Sequence, residues 1–155
     1  MSIVERAFKN QLKQVGTEIG ISPWIKIDQH MIDKFAEVTM DPQFIHIDEQ
    51  RAKTETTFGG TIAHGFLTLA LASKFALETL PEQPGQIMAI NYGLNRVRFL
   101  NPVKVEARLR GKFTMNKVIR KSNFQILREF ELVVEIEKET TPALYAEWLN
   151  LVVFK

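Results

Sequence analysis

Residues 65–80 form one long apolar segment, and this segment limits the folds open to the chain more than any other feature. Apolar side chains occur on nearly all sides of the predicted helix rather than along one stripe. A helix of that kind is expected to be buried instead of lying on a surface. Pro81, Pro84 and Gly85 predict where it ends. The rest of the chain must therefore supply elements that enclose this helix.

The segments that follow change to the two-residue period of β-strands. Four strands are predicted at residues 87–99, 103–115, 123–137 and 144–154. They are longer than the usual strand of about five or six residues. Long strands after one buried helix indicate an antiparallel sheet that curves around the helix, an α+β fold. With 155 residues the chain fits a single domain, in which residues 1–19 form an N-terminal helical extension.

The first half of the chain is predicted to be mainly helical. A helix is expected at residues 3–15, a short strand at residues 21–27 interrupted by Pro23, and a short helix at residues 49–53. Asp28 is a plausible N-cap for a further helix that runs to about Thr39, and Asp48 for the short helix at residues 49–53.

Composition and charge exclude several classes of function. The chain has no cysteine, which rules out disulfides, thiolate metal sites and cysteine nucleophiles. The net charge of +2 gives no strong case for nucleic acid. Nine basic residues and one acid lie between Arg96 and Lys121; solvated strand faces are the simpler interpretation, and attraction of a polyanionic small ligand is the alternative. No signal peptide or membrane segment is evident, so no membrane partner and a cytoplasmic location are expected.

Two neighbouring segments carry groups suited to proton transfer. Residues 41–46 read Asp-Pro-Gln-Phe-Ile-His and place a carboxylate and an imidazole five positions apart. Pro42 cannot continue a helix, so Asp41 and His46 are expected on a turn beside a cleft. The long helix begins at Gly65, where backbone N–H groups can hold a developing negative charge. Together these features indicate acid–base chemistry on a carbonyl compound.

Other polar residues have simpler interpretations. His64 is expected to be structural, with a hydrogen bond to a loop at the start of the helix. Ser73 is most simply a packed hydroxyl that bonds to a carbonyl one turn back. A metal site is not expected, because His30, His46 and His64 lack the short spacing of metal ligands.

Three stretches together resemble the MaoC-like, (R)-specific enoyl-CoA hydratase family, and in particular its NodN-like branch. They are residues 41–48 (DPQFIHID), 61–69 (TIAHGFLTL) and 91–99 (NYGLNRVRF). The resemblance extends from about Gly20 to the C-terminus and implies a hot-dog fold. Two departures from the hydratase motif are visible: Met40 replaces the usual glycine, and Gln43-Phe44 replaces Asn-Pro.

The resemblance also implies an activity and a set of site residues. The expected reaction is hydration of a trans-2-enoyl-CoA or dehydration of a (3R)-3-hydroxyacyl-CoA, with no cofactor beyond the thioester itself. Asp41 would be the base toward water and His46 the proton donor or co-base, although these roles are interchangeable. Gly65 and Ser73 fall on the family's oxyanion and substrate-binding positions. The further expectations are CoA phosphate contacts by Arg96 or Arg98 and a homodimer formed edge to edge.

Two alternatives remain open from the sequence. The fold also supports acyl-CoA thioesterases, which would release free CoA thiol. A domain that kept the fold but lost turnover would bind acyl-CoA without chemistry.

Overall fold

The computed structural model describes residues 1–155 as six helices and six strands. The helices are α1 (Ile3–Leu12), α2 (Gln29–Thr39), α3 (Phe44–Ile47), α4 (Glu49–Glu55), α5 (Gly65–Ala70) and α6 (Ala72–Thr79). The strands are β1 (Glu18–Ile21), β2 (Ile25–Lys26), β3 (Gln86–Phe99), β4 (Arg108–Arg120), β5 (Gln125–Ile136) and β6 (Leu144–Phe154).

All strands belong to one antiparallel sheet with the order β1-β4-β5-β6-β3, and β2 pairs with β4 beside β1. The register of β3 against β6 shifts at three places. Irregularities of this kind bend a strand and increase its twist, which lets a long sheet curve. The predicted α+β arrangement of long antiparallel strands and a central helix is confirmed.

The central helix lies against the sheet at β4. Phe75 of α6 is fully buried, and a Cβ atom placed on Gly111 of β4 would lie 2.8 Å from the Cβ atom of Phe75. Because glycine carries no side chain, helix and strand approach more closely here than any other residue would allow. This contact fixes the height of the helix above the sheet.

The prediction of one helix buried on all sides is wrong in two respects. The helix is divided at Leu71 into α5 and α6, and its outer side is open, with Phe66 70% and Leu77 84% exposed. Only one side is covered, because α6 packs against β1 and β4 of the sheet and no element covers its other side. The apolar pattern therefore overstated how much of the helix this single chain buries.

The strand predicted at residues 103–115 begins and ends five residues too early, since β4 spans Arg108–Arg120. In the structure Lys104 forms only an isolated bridge with Ile62, and Glu106 takes a positive φ of 72° before β4 starts at Arg108. Glu106 donates its backbone N–H to Ile27, so this segment turns to hold the loop before α2. The other three long strands lie within two residues of their predicted bounds.

The N-terminal segment contributes to the core. Val4 and Ala7 of α1 are buried and belong to the main hydrophobic cluster. The predicted caps are both present: Asp28 accepts from the Met31 N–H at 2.9 Å, and Asp48 accepts from the Arg51 N–H at 3.0 Å.

The basic stretch of β4 forms cross-strand ion pairs. Arg108 pairs with Glu137, and Arg110 and Lys112 pair with Glu135. These contacts favour the solvated-face interpretation for this part of the basic segment. None of the helices has the length and apolar character needed to cross a membrane.

Candidate active site

The turn at the end of α2 determines the orientation of the Asp41 side chain. Met40 ends the helix in the left-handed conformation, with φ 56° and ψ 36°. The backbone N–H groups of Met40 and Asp41 donate hydrogen bonds to carbonyl groups near the end of α2. The turn leaves the Asp41 side chain 55% exposed, so this carboxylate lies on a turn as predicted.

Pro42 led to the prediction that His46 lies on a turn. His46 lies instead in the short helix α3, where it is 6% exposed. The prediction was wrong because Pro42 lies before the first turn of this helix, where its ring does no harm. The Nδ1 atom of His46 lies 2.7 Å from the carbonyl oxygen of Ile62. Since a carbonyl only accepts, Nδ1 carries the hydrogen and Nε2 keeps its lone pair.

Burial lowers the pKa of His46 below its ordinary value of 6.5, and the neighbouring His64 acts in the same direction. The hydrogen bond to Ile62 and the negative charge of Asp41 oppose this effect but do not outweigh it. His46 is therefore a neutral imidazole near pH 7, with a free Nε2 that can accept a proton.

His64 holds the two candidate catalytic residues together. It is 3% exposed, its ring stacks on His46 with 3.6 Å between ring centroids, and its Nε2 lies 3.1 Å from the backbone carbonyl of Asp41. The carbonyl accepts, so Nε2 is the protonated nitrogen. The hydrogen bond to a loop that the sequence suggested is present, and the loop is the one that carries Asp41.

Asp41, His46 and His64 form one cluster, with one possible ligand atom from each residue all within 4.8 Å of one another. The expectation of no metal site rested on the wide spacing of the histidines along the chain. In the folded protein, histidines that are far apart in the sequence lie next to each other, so their sequence spacing no longer argues against a metal. Two of the four imidazole nitrogens already donate to backbone carbonyls. This arrangement suits proton transfer, because imidazole rings and a carboxylate lie close together and two of the ring nitrogens are left as acceptors.

Gly65 is the first residue of α5 and lines a cavity of about 400 Å³ together with His46 and Thr68. A Cβ atom on Gly65 would lie 3.1 Å from the ring of Phe99. A side chain at this position would press on Phe99, so the protein's own packing also favours the glycine. The N–H of Gly65 has no partner in the protein, as expected for the first turn of a helix.

Thr68 was not identified from the sequence as a candidate site residue. It is 2% exposed and one turn after Gly65, with its hydroxyl 3.5 Å from the carbonyl of His64. The helical spacing of three residues from Gly65 was the signal that could have indicated it.

The structure does not bring Ser73 to this cavity. Ser73 lies on α6 and lines other cavities, and its hydroxyl accepts from the Asn91 side chain at 2.9 Å instead of bonding one turn back. The simpler interpretation of Ser73 was therefore also wrong, because β3 supplies a closer donor. Arg96 and Arg98 are exposed on β3, and Arg98 donates to the carbonyl of Val97. A further concavity of about 670 Å³ opens beside α2, and neither Asp41 nor His46 lines it.

Sequence comparison identifies the family. A family model described as "MaoC like domain" matches residues 10–137, and the chain belongs to the MaoC-like dehydratase family. It is 46% identical over 141 residues to nodulation protein N of Rhizobium leguminosarum bv. viciae, covering 91% of this chain and 88% of the relative. It is 40% identical over 132 residues to 3-hydroxyacyl-thioester dehydratase Z of Mycobacterium tuberculosis, covering 85% and 86%.

Solved structures agree with this assignment. R-hydratase PhaJ1 of Pseudomonas aeruginosa superposes with a TM-score of 0.70 at 26% identity, covering 91% of this chain and 83% of that one. A monoamine oxidase regulatory protein of Archaeoglobus fulgidus, at 24% identity and a TM-score of 0.75 over 92% of both chains, shares the fold. The predicted hot-dog fold and the resemblance to the MaoC-like family, with its NodN-like branch, are confirmed.

Proposed function

We propose that the protein is a hydro-lyase that adds water to a trans-2-enoyl-CoA, giving the (3R)-3-hydroxyacyl-CoA, and that catalyses the reverse dehydration. One observation carries the proposal. His46 donates from Nδ1 to Ile62 and so keeps an unprotonated Nε2, and the residue belongs to one cluster with Asp41 and lines a cavity together with Gly65. The relatives named dehydratase and hydratase support the reaction class.

The proposed chemistry uses one water held between Asp41 and His46. As the water oxygen bonds to the β-carbon, His46 Nε2 accepts one of its protons, and the electron pair of the double bond moves to the thioester as an enolate. The imidazolium then returns a proton to the α-carbon, so the enzyme ends in its starting state. Asp41 orients the water and stabilises the imidazolium, and such positioned groups contribute on the order of 10²–10⁴-fold.

The enolate oxygen needs a donor, and the Gly65 N–H is the proposed one. Removing a single donor of this kind typically costs about 10²–10³-fold in kcat. Gly65 and the ring of Phe99 line the same cavity, so the thioester is proposed to lie against both. The CoA phosphates are proposed to lie near Arg96 and Arg98 on the exposed side of β3.

Two other functions are tested by the same preparation. A thioesterase would release free CoA thiol, which a thiol reagent detects. A binding domain without turnover would bind acyl-CoA and leave it unchanged. The relatives named dehydratase and hydratase favour the hydratase over both alternatives, whereas a neutral imidazole beside a carboxylate could activate water for either hydration or thioester hydrolysis.

The deciding experiment follows the loss of the enoyl thioester absorbance of crotonyl-CoA and of longer trans-2-enoyl-CoA thioesters. The expected result is consumption of substrate with only the 3R alcohol formed and no free thiol released. Formation of the 3S alcohol, or no consumption at any chain length, would reject the proposal.

A further inference from the structure

A row of polar side chains crosses the concave face of the sheet, well away from Asp41 and His46 in the chain. Arg128 of β5 and Asn150 of β6 are cross-strand partners, and Asn91 of β3 is the partner of Asn150 on its other side. Asn91 in turn donates to Ser73 on α6. The row thus spans three strands and ends on the central helix.

Arg128 is the unusual member of this row. It is 4% exposed, and it occupies the helix-facing side of β5, where its neighbours in the alternation, Ile126 and Phe130, are fully buried apolar residues. Its Nε and Nη2 atoms both donate to the Asn150 side-chain oxygen, and its guanidinium lies over the Phe130 ring. Its Nη1 atom has no partner in the protein.

No carboxylate neutralises Arg128, since no acid oxygen lies within 4.0 Å of its guanidinium. Burial lowers the pKa of Arg128 to about 10, which still leaves the group cationic at neutral pH. A buried cation is costly unless a partner of opposite charge and further hydrogen bonds compensate it. The structure therefore holds an uncompensated positive charge at a fixed position.

The guanidinium faces a cavity of about 550 Å³ between α6 and β3 that is also lined by Asn150, Asn91, Ser73 and Trp148. Glu82 is an acid at the rim of this cavity, and it is exposed and forms no ion pair with Arg128. A guanidinium presents its donors in a planar fork that matches a carboxylate. One positive charge beside several neutral polar side chains fits a singly charged carboxylate better than a doubly charged phosphate.

Three cavities lie along the central helix, and together they are called the groove. Gly65 and Thr68 line the cavity beside His46, Leu69 and Ala72 line a middle cavity, and Ser73 is shared by the middle cavity and the one at Arg128. The helical residues all fall on one stripe of α5 and α6. From Gly65 to Ser73 the helix advances by roughly 12 Å, the scale of a medium-length acyl chain.

We propose that the groove binds acyl thioesters whose acyl chain ends in a carboxylate, with Arg128 holding that carboxylate in a fork and Ser73, Asn91 and Asn150 lining its site. The inference rests on the proposed function only for the position of the thioester at Gly65. Asn150 is a positioning residue, because its side-chain oxygen holds two of the Arg128 donors and directs the third nitrogen to the cavity.

The test measures binding by calorimetry with saturated CoA thioesters, which cannot be hydrated. Matched pairs from hexanoyl-CoA to dodecanoyl-CoA are compared with the monothioesters of the corresponding dicarboxylic acids. We expect the carboxylated ligand to bind at least about tenfold tighter at a medium chain length, a difference of about 1.4 kcal/mol. Equal affinities at every length in the native protein would overturn the proposal, whether or not the protein hydrates enoyl thioesters.

Variants locate the effect. Arg128→Met is expected to abolish the preference for the carboxylated ligand, and Arg128→Lys to keep part of it. Arg6→Met, an exposed arginine on α1, is the matched control and should keep the preference unchanged. A preference that survives in a folded Arg128→Met protein would assign the carboxylate to another site. A preference that appears only after Glu82→Gln would show that Glu82 fills the site. Either result contradicts the proposal.

Discussion

Met40 accounts for one departure from the hydratase motif in physical terms. The family's usual glycine falls where this chain has a left-handed residue after α2, with φ 56°. A non-glycine residue pays roughly 1–2 kcal/mol in this conformation. Met40 therefore adopts the left-handed backbone conformation that suits glycine, but at a higher conformational free energy.

Met40→Gly is expected to raise the free energy of unfolding by about 1 kcal/mol, since glycine avoids the steric cost of the left-handed conformation. The side chain is 86% exposed, so little packing is lost. Urea titration measures the change, and Met40→Ala serves as the control because it keeps the Cβ atom. Equal stability of the glycine and alanine variants would contradict this explanation.

Asp41 and His46 are predicted to act as one unit. Asp41→Asn removes the carboxylate, and His46→Asn removes the accepting nitrogen while its amide can still donate toward the Ile62 carbonyl. Each single change is expected to lower kcat by at least about 10²-fold, and the double variant to be little worse than either. Near-normal turnover in a folded single variant would remove that residue from the mechanism.

The pH dependence of stability should report the burial of His46. Its pKa is lowered in the folded state, so the unfolded chain binds a proton more readily below the ordinary value of 6.5. The stability that neutral His46 contributes is fully present above pH 6.5. It is lost as the pH falls toward the lowered pKa of His46 in the folded state.

Melting temperatures between pH 7 and pH 5 test this prediction, with His46→Asn as the comparison. The native protein should lose more stability than the variant over this interval. Parallel curves for the two proteins would show that His46 titrates normally. The acid limb of kcat/KM is likewise expected below pH 6.5, because His46 acts in its neutral form.

At the scale of elements, the contact between α6 and β4 sets the frame for the site. Gly111→Ala would place a Cβ atom 2.8 Å from the Cβ atom of the fully buried Phe75. Overpacking of this kind costs about 1–3 kcal/mol, and here the nearest atom cannot rotate away. Gly60→Ala, with no atom within 4 Å, is the matched control and should be close to neutral. Thermal and urea unfolding of both variants measure the difference, and a stable Gly111→Ala protein would show that the helix can rise from the sheet.

At the scale of the molecule, β3 is the exposed edge of the sheet. This strand of 14 residues has apolar side chains that are each about half exposed, and they are Ile87, Met88, Ile90, Tyr92 and Leu94. Long apolar edges are prone to pair with another chain. We propose that two copies pair along β3 into one continuous sheet, the homodimer expected from the sequence.

The native protein should therefore be a dimer at micromolar concentration in light scattering. Combined Met88→Lys and Ile90→Lys changes are expected to yield monomers, because charges on an edge strand oppose pairing. Val38→Lys, on the exposed side of α2, is the control and should stay dimeric. A native monomer would reject the proposed assembly.

The amino-acid pattern was sufficient for the elements and their class. Caps at Asp28 and Asp48, the two-residue period of the strands and the glycine before the long helix are local signals, and the structure places helices and strands accordingly. The main exception, the start of β4, arose because Glu106 turns to bond Ile27, a contact between residues far apart in the chain.

Only the tertiary structure decided which side chains share a site. Sequence periodicity describes only neighbours along one helix or strand. His46, in contrast, stacks on His64 and donates to the carbonyl of Ile62, and both residues lie 16 or more positions away in the chain. These long-range contacts fix the tautomer of His46. For the same reason Thr68 lines the cavity beside His46, whereas Ser73 lines the cavities further along the helix. There Arg128 of β5 bonds to Asn150, and Asn91 bonds to Ser73. The sequence by itself determined the residues able to move protons and the fold that holds them, because those follow from local chemistry and pattern. Burial, distance and the free nitrogen of His46 were decided by how the sheet brings distant segments together.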